Sequence, residues 1–342
     1  MKIITCAGYY GTGSSAVTDL LGEFDNIHFM GDYEFRFVQD PWGIADLEYN
    51  IVENYHRHNS GYALKMYKKN VDFLSGSFKR YESFFNGQFK KLSYEYIDSL
   101  TSFKFKGYWH QDVIDKGLLF WFFERLIYKI ANKILVPIIR NGQNKEPITF
   151  SLMEIFNEQT FVPVADKDFF YSVTRDYIDK LFTAANSDNK EFVMVDQIVP
   201  PSNTNKYSSF FHDIKIIVVD RDPRDIYLLE KEIWKGKCVP TENVTNFCKW
   251  YELTRHHLKN EKDNPQKVLR VQFEDMVYHY QETTEKIMSF LGLNKVSHIS
   301  PQSKFIPAES VRNTQLWKNY PELKSDIESI EKSLNQFCYN NY

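Results

Sequence analysis

Five short runs of apolar and β-branched residues recur along the chain, at Lys2–Ala7, Ile27–Met30, Phe192–Val195, Ile214–Val219 and Val268–Val271. Short runs of this kind predict buried strands. Helical periodicity follows several of them, and strands that alternate with helices are typical of a parallel sheet with helices on its faces. We therefore predict a three-layer α/β fold in which a central, mostly parallel sheet is flanked by helices.

The chain between the second and third runs, about residues 41–190, is rich in Tyr, Phe and Trp and has few strand signals. We interpret it as a large, mostly helical insertion. No internal repeat, low-complexity tract or Gly/Ser/Pro-rich linker divides the chain. The pattern thus predicts a single domain over residues 1–342 with an insertion at 41–190.

Residues 117–139, GLLFWFFERLIYKIANKILVPII, are apolar and aromatic but contain Glu124, Arg125, Lys129 and Lys133. A membrane-spanning helix needs about 20 residues with few charges, so the sequence argues against a span. The pattern predicts an amphipathic helix packed in the core. The alternative is a helix that lies on a membrane surface or borders a groove for an apolar ligand.

The composition narrows the possible partners and location. With 43% hydrophobic and 25% charged residues the chain is typical of a globular protein, and its net charge of −3 argues against a nucleic-acid polymer as partner. The four cysteines form no CxxC pair, and no histidine shows metal spacing with carboxylates. We expect free thiols, no metal and, because the N-terminal residues do not resemble a signal peptide, a cytoplasmic location.

The first run ends in a glycine-rich loop, GYYGTGSSAV at residues 8–17. A strand, a glycine-rich turn and a helix N-terminus aim backbone N–H groups and the positive end of the helix dipole at one point, which favours a phosphate. The spacing resembles GxxxxGK[ST], but Ser14 replaces the lysine, which disfavours a nucleoside triphosphate. The alternative is a turn that only connects strand to helix. The predicted phosphate-binding residues are Gly11, Thr12, Gly13, Ser14, Ser15 and Ala16.

A second motif, VVDRDPRD at residues 218–225, places Arg221 directly after a buried strand. Asp222 and Pro223 are typical of a helix cap and a first helical residue. Arg221 is therefore expected at the carboxyl edge of the sheet, where open α/β sheets bind ligands, and a guanidinium matches phosphate oxygens in pairs. The alternative is a surface Arg–Asp network at the helix cap.

These two motifs, together with RVQFEDM at 270–276 and FLGL at 290–293, resemble the sulfotransferase family, in a bacterial-type or carbohydrate- or tyrosylprotein-like branch. The resemblance covers about the first 40 residues and the chain from Phe192 onward. It implies a P-loop-like fold and metal-independent transfer of a sulfuryl group from 3′-phosphoadenosine 5′-phosphosulfate to a hydroxyl or amine of a carbohydrate or other small metabolite. In that family the first loop holds the 5′-phosphosulfate and the arginine after the later strand holds the 3′-phosphate, which implies these roles for residues 11–16 and Arg221.

The resemblance also implies two further site residues and an acceptor region. Arg312, in a basic segment near the C-terminus, is the candidate for a second contact to the 3′-phosphate. Glu34, after the second strand, is the candidate catalytic base, with Asp32 as the alternative. The insertion at 41–190 is expected to bind the acceptor.

The sequence departs from the family pattern at three positions, because Gly11 and Gln197 stand where cations are expected and Leu229 where a serine is expected. The missing positive charge would have to come from other residues, for which the candidates are Arg36, Lys65, Lys104 and Lys106. These departures keep open a non-catalytic nucleotide-binding protein of the same fold. A P-loop kinase is disfavoured because it needs ATP, magnesium and a loop lysine.

Overall fold

A five-stranded parallel sheet forms the centre of the protein in the computed structural model, which describes residues 1–76, 80–135, 138 and 151–342. Its strands lie in the order β2-β5-β1-β6-β7. All five are parallel to their neighbours, and they coincide with the five predicted runs. The strands of this sheet are β1 Lys2–Gly8, β2 Ile27–Glu34, β5 Phe192–Asp196, β6 Ile214–Asp220 and β7 Val268–Gln272.

Helices cover both faces of this sheet, as predicted for the three-layer α/β class. Alternate residues of the central strands pack on opposite sides, so that Ile3 and Val193 join one hydrophobic cluster and Ile4 and Met194 the other. Parallel strands buried on both faces need continuous apolar runs, which explains why these strands could be located from the sequence.

The helices are α1 Ser14–Leu21, α2 Ile44–Glu48, α3 Arg57–Gly76, α4 Arg80–Phe84, α5 Phe89–Leu100, α6 His110–Asp115, α7 Gly117–Ile130, α8 Lys167–Ala185, α9 Thr204–Ser208, α10 Pro223–Leu228, α11 Val244–Thr254, α12 Phe273–Tyr278, α13 Tyr280–Leu291, α14 Pro307–Ser310 and α15 Lys324–Leu334.

Shorter helical turns extend or connect these helices. Those that are π-helical lie at Tyr49–Glu53, Ala131–Leu135 and Leu229–Trp234. Turns of 3₁₀ type in the described part of the chain lie at Leu152–Glu154, His256–Lys259, Lys295–Ser297, Val311–Asn313, Leu316–Asn319, Pro321–Leu323 and Asn335–Phe337. The π-helical turn at Leu229–Trp234 matters for the site, because it continues α10 and carries Trp234 to the loop after β1.

The chain between β2 and β5 contains a two-stranded antiparallel ribbon that the sequence did not predict. Its strands are β3 Thr101–Gly107 and β4 Glu158–Pro163. The alternation Phe103-Lys104-Phe105-Lys106 carries the period of two that a strand requires. The partner strand is about 50 residues away, however, so no local turn signal marks the pair.

Helix α7 corrects a second prediction. No residue of Gly117–Ile130 is buried, so the interpretation as a core helix is wrong. None of the described helices is long and apolar enough to cross a bilayer. The alternative, a helix on a membrane surface or beside a groove for an apolar ligand, stays a prediction, and residues 136, 137 and 139 of the stretch lie outside the described residues.

Candidate functional site

The loop after β1 opens at the carboxyl edge of the sheet, where the central strand β1 lies between β5 and β6. Tyr10, Gly11 and Gly13 have φ values of 84°, 68° and 82°, a left-handed backbone that turns successive N–H groups inward. Gly13 is also the N-cap of α1 and supplies no side-chain cap. The Ala16 N–H donates to the Gly13 carbonyl at 3.0 Å, and the other N–H groups at the start of α1 lie at a helix N-terminus, which favours an anion.

Two polar side chains brace this loop. The buried Thr12 hydroxyl accepts a hydrogen bond from the Tyr9 N–H at 3.3 Å. Gln197, directly after β5, donates from Nε2 to Ser14 Oγ at 2.9 Å and accepts from the Gly8 N–H at 3.3 Å. Gln197 stands where the family pattern has a cation, so in this protein that position holds the loop by neutral hydrogen bonds.

Arg221 follows β6 and reaches the same loop. Nη1 donates to the Gly11 carbonyl at 3.3 Å, and Nη2 donates to the carbonyl of Asn313. The guanidinium lies 4.6 Å from the centroid of the Phe273 ring, and the side chain is only 4% exposed. Nε is buried without a hydrogen-bond partner among the described residues. A charged donor with an unused N–H therefore lies beside the glycine-rich loop.

The residues of the third motif support both anchors. Phe273 packs against Gly13, where a Cβ atom would come within 2.6 Å of the ring. Glu274 accepts a hydrogen bond from the Asp222 N–H at 3.0 Å and so fixes the start of α10. Arg270 forms an ion pair with Asp263 at 2.6 Å. The sequence associated this motif with the family, but only the structure gives it these contacts.

Buried carboxyl groups surround Arg221. Burial raises the pKa of Glu274 to about 8, and its Oε2 has no partner among the described residues. Burial also raises the pKa of Asp225 to about 7. The hydrogen bonds that this carboxyl accepts from the Gln315 and Leu316 N–H groups, at 3.0 and 2.7 Å, lower the pKa but do not cancel the effect of burial. A protonated Glu274 leaves the guanidinium charge less compensated, which strengthens the attraction for an anion.

Glu34 ends β2, where it lies in register with Asp196 of β5, so it occupies the same edge of the sheet as the loop. Its side chain is 57% exposed and lies 3.7 Å from Arg36 Nη1. A hydrogen bond with Cys238 and burial raise the pKa of Tyr10 to about 12. The negative charges of Glu230 and Glu34 add to this shift, so Glu34 lies close enough to interact with Tyr10 of the loop.

Glu34 and Arg36 line a cleft of about 370 Å³ between the β2 edge and the insertion. Asp40 lies in the same cleft, where its carboxylate pairs with Arg36 at 2.9 Å. Trp42 and Phe73, both exposed aromatic residues, contribute to its walls. The side chain of Asp32, the alternative base, lies outside the described part of the chain.

The remaining predicted cations differ in their surroundings. Arg312 is exposed in the turn Val311–Asn313, adjacent to the Asn313 carbonyl that binds Arg221. Lys65 pairs with Asp112 and, at 2.8 Å, with Glu158, and Lys104 pairs with Asp98. The exposed Lys106 has no ion-pair partner among the described residues. Of these candidates, Arg36 is the one that lines the cleft beside Glu34. Within the described ranges no group of three or more His, Cys, Asp or Glu is arranged to hold a metal.

Comparison with known proteins gives a family for part of the chain. Residues 165–297 match the model of a sulfotransferase family. The matched range, less than half of the chain, contains β5, β6, β7 and Arg221. The loop after β1, Glu34 and Arg312 lie outside it. The sequence matches none of the curated proteins with which it was compared.

Two solved structures are similar to this chain at low identity. One is a retinol dehydratase in complex with androsterone and the inactive cofactor PAP, with 12% identity, a TM-score of 0.33 and coverage of 100% of this chain and 83% of that chain. The other is a sulfotransferase from Mycobacterium tuberculosis, with 9% identity, a TM-score of 0.32 and coverage of 92% of this chain and 76% of that chain.

The parallel sheet between helical layers defines an α/β protein, in agreement with the prediction. The match of residues 165–297 to the model of a sulfotransferase family confirms the family resemblance predicted from the motifs.

The contact between Gly13 and Phe273 yields a first prediction. Gly13→Ala adds a Cβ 2.6 Å from the Phe273 ring at a residue with φ of 82°. Strain and overpacking together should lower the free energy of unfolding by about 2–4 kcal/mol in urea denaturation. Gly31→Ala is the matched control, because Gly31 has the same φ of 82° and no atom within 4 Å of its added Cβ. Equal losses in the two variants would show that the ring does not constrain the loop.

The buried Glu274 yields a prediction on pH. Its pKa is raised from 4.5 to about 8, so the folded protein keeps a proton that the unfolded chain releases. The stabilisation is complete below the unfolded pKa and is lost as pH rises towards 8, by up to about 1.4 kcal/mol per pH unit. In urea denaturation between pH 5 and pH 8, Glu274→Gln should flatten this decline, whereas the exposed Glu282→Gln should not. An unchanged slope in Glu274→Gln would contradict the assignment.

Proposed function

We propose that the protein transfers a sulfuryl group from 3′-phosphoadenosine 5′-phosphosulfate to a hydroxyl or amine of a small acceptor. One observation carries this proposal. The buried guanidinium of Arg221, with an unused Nε–H, lies against the Gly11 carbonyl of a loop whose helix N-terminus is uncapped. Two anion-binding elements therefore meet at one edge of the sheet, as a nucleotide with phosphates on both its 5′ and 3′ sides requires.

The residues present fit such a donor. Backbone N–H groups of residues 11–16 would hold the 5′-phosphosulfate, and Arg221 would hold the 3′-phosphate with Arg312 nearby. The partners of Arg221 are now the neutral carbonyls of Gly11 and Asn313. A phosphate would instead offer the guanidinium an anionic partner whose oxygens match its paired N–H groups. The donor would supply an activated sulfuryl group, so no metal is needed for the transfer.

Glu34 is the proposed base. As the bond between sulfur and the acceptor oxygen forms and the bond between sulfur and the phosphate oxygen breaks, the acceptor hydroxyl must lose its proton. A carboxylate on the open cleft beside the loop is suited to accept it. Arg36, 3.7 Å from Glu34, is the proposed source of the positive charge that Gly11 and Gln197 do not supply.

The cleft favours a polar acceptor. It combines charged Glu34, Arg36 and Asp40 with the exposed rings of Trp42 and Phe73. Aromatic faces stack on sugar or aromatic rings while charged groups orient hydroxyls. We propose a carbohydrate or another small metabolite as acceptor, with the insertion as its binding region.

We also propose a cytoplasmic location, since all four cysteines are free thiols. Peripheral membrane contact through residues 117–139 remains a proposal alongside it. Neither proposal affects the transfer chemistry.

Nucleotide binding tests the role of Arg221. Arg221→Lys keeps the positive charge but loses the paired N–H groups of the guanidinium. The Kd for adenosine 3′,5′-bisphosphate should therefore rise at least about tenfold in calorimetry. Adenosine 5′-monophosphate, which lacks the 3′-phosphate, should bind the variant and the wild type equally. An equal loss of affinity for both nucleotides would show that Arg221 only supports the loop after β1 and does not bind the 3′-phosphate. Tighter binding of ATP than of the bisphosphate by the wild type would favour the kinase alternative.

Turnover tests the role of Glu34. Glu34→Gln should keep the Kd for the bisphosphate and lower transfer from labelled donor, across a panel of hydroxyl acceptors, by about 100-fold or more. The exposed Glu282→Gln, outside the cleft, is the control and should retain the wild-type activity. Unchanged turnover in Glu34→Gln would remove it as the base. If the wild type binds the bisphosphate and sulfates no acceptor, the non-catalytic alternative would be favoured.

A further inference from the structure

Helix α7 presents a wide apolar face to solvent. At about 100° per residue, its most exposed apolar side chains fall within an arc of about 140° on one side of the helix. Leu118 is 85% and Leu119 is 78% exposed, values expected for an unfolded chain rather than for a packed helix. The exposed residues of this outer face are Leu118, Leu119, Phe122, Phe123, Leu126 and Ile130.

The opposite side of the same helix attaches it to the protein. Phe120 stacks edge-on against Phe156, with ring centroids 5.9 Å apart, and Ser151 Oγ donates to Glu124 at 2.9 Å. Ala131, two turns after Glu124, is buried. The inner side of α7 thus contacts the rest of the protein, and the apolar residues of the outer face are not needed to hold the helix in place.

The charges on this segment are mostly basic. Residues 117–135 contain Arg125, Lys129 and Lys133 and a single acid, Glu124, in a chain whose net charge is −3. Neither Lys129 nor Lys133 has an ion-pair partner among the described residues, and both are exposed. Lys129 lies within the arc of the outer face. Long basic side chains among apolar residues are typical of a helix at a lipid interface, because their stems are buried while the ammonium groups reach the phosphates.

We propose that the outer face of α7, with Lys129 and Lys133, is a docking surface for an anionic lipid bilayer. The helix lies in the plane of the interface, with the six apolar side chains among the acyl chains and the lysines at the headgroups. This inference goes beyond sulfuryl transfer and does not depend on it.

A second copy of the chain is a poorer occupant. A symmetric contact through this face would place the same surplus of positive charge on both sides of the interface. A bilayer supplies negative charge together with an apolar layer of adaptable shape, and it needs no groove to match the convex face of a single helix. The charge pattern thus selects an anionic membrane.

Vesicle flotation tests this inference with the full-length protein. We expect the wild type to float with phosphatidylcholine vesicles that contain about 30% phosphatidylserine, and to bind phosphatidylcholine alone at least about tenfold more weakly. The double variant Leu119→Ser, Phe123→Ser should lose binding to both. The matched control is Leu253→Ser, Val296→Ser, at sites 71% and 83% exposed elsewhere on the surface, and it should float as the wild type does.

A charge variant and a sedimentation measurement separate the other outcomes. Lys129→Gln, Lys133→Gln should remove the preference for phosphatidylserine. Equal binding of this variant and the wild type to anionic vesicles would overturn the assigned charge complementarity. Absence of wild-type flotation would overturn the proposal, and a dimer in analytical ultracentrifugation that only Leu119→Ser, Phe123→Ser dissociates would identify the face as a contact between copies. Each variant should keep the wild-type affinity for adenosine 3′,5′-bisphosphate, which reports an intact fold.

Discussion

The buried guanidinium of Arg221 joins three parts of the protein that are far apart in sequence: the loop after β1, the start of α12 and the segment around Asn313. Burying an unpaired charge costs several kcal/mol, so such a group persists only where polar partners surround it. The Gly11 and Asn313 carbonyls are such partners, and the carboxyl groups of Asp222 and Asp225 lie near the guanidinium. One side chain thereby fixes how the loop after β1 and the C-terminal segment face each other.

The loop after β1 keeps its conformation without cations at the two positions where the family pattern has them. Gln197 uses neutral hydrogen bonds to hold Gly8 and Ser14 in place, so the loop geometry does not require a charge at that position. Positive potential can then arise from aligned backbone N–H groups, from the helix dipole of α1 and from Arg221. A raised pKa at Glu274 acts in the same direction, because a neutral carboxyl does not cancel the guanidinium charge.

The sequence predicted those features that depend on continuous apolar runs or on local chemistry. Parallel strands buried on both faces read as such runs, and the positions of Gly13 and Arg221 at their ends followed from the topology. The contact between Phe273 and Gly13 did not follow, since it joins residues from opposite ends of the chain. The β3–β4 ribbon was missed because its strands have no shared turn. Helix α7 was wrongly predicted to pack in the core, because an apolar sequence pattern does not distinguish a buried helix from an exposed one.

That ambiguity of α7 is resolved by charge. Apolar residues alone would fit a core, a partner or a lipid phase, but Lys129 and Lys133 lie on the same exposed segment without carboxylate partners among the described residues. The whole chain is acidic, so the remainder of the protein is repelled by an anionic surface while this segment is attracted to it. Screening limits both effects to about 8 Å at physiological salt, so the charges nearest the bilayer decide the orientation. In the proposed docking mode the local surplus of lysine would determine which side of the protein faces the bilayer, and the apolar face would then anchor the helix there.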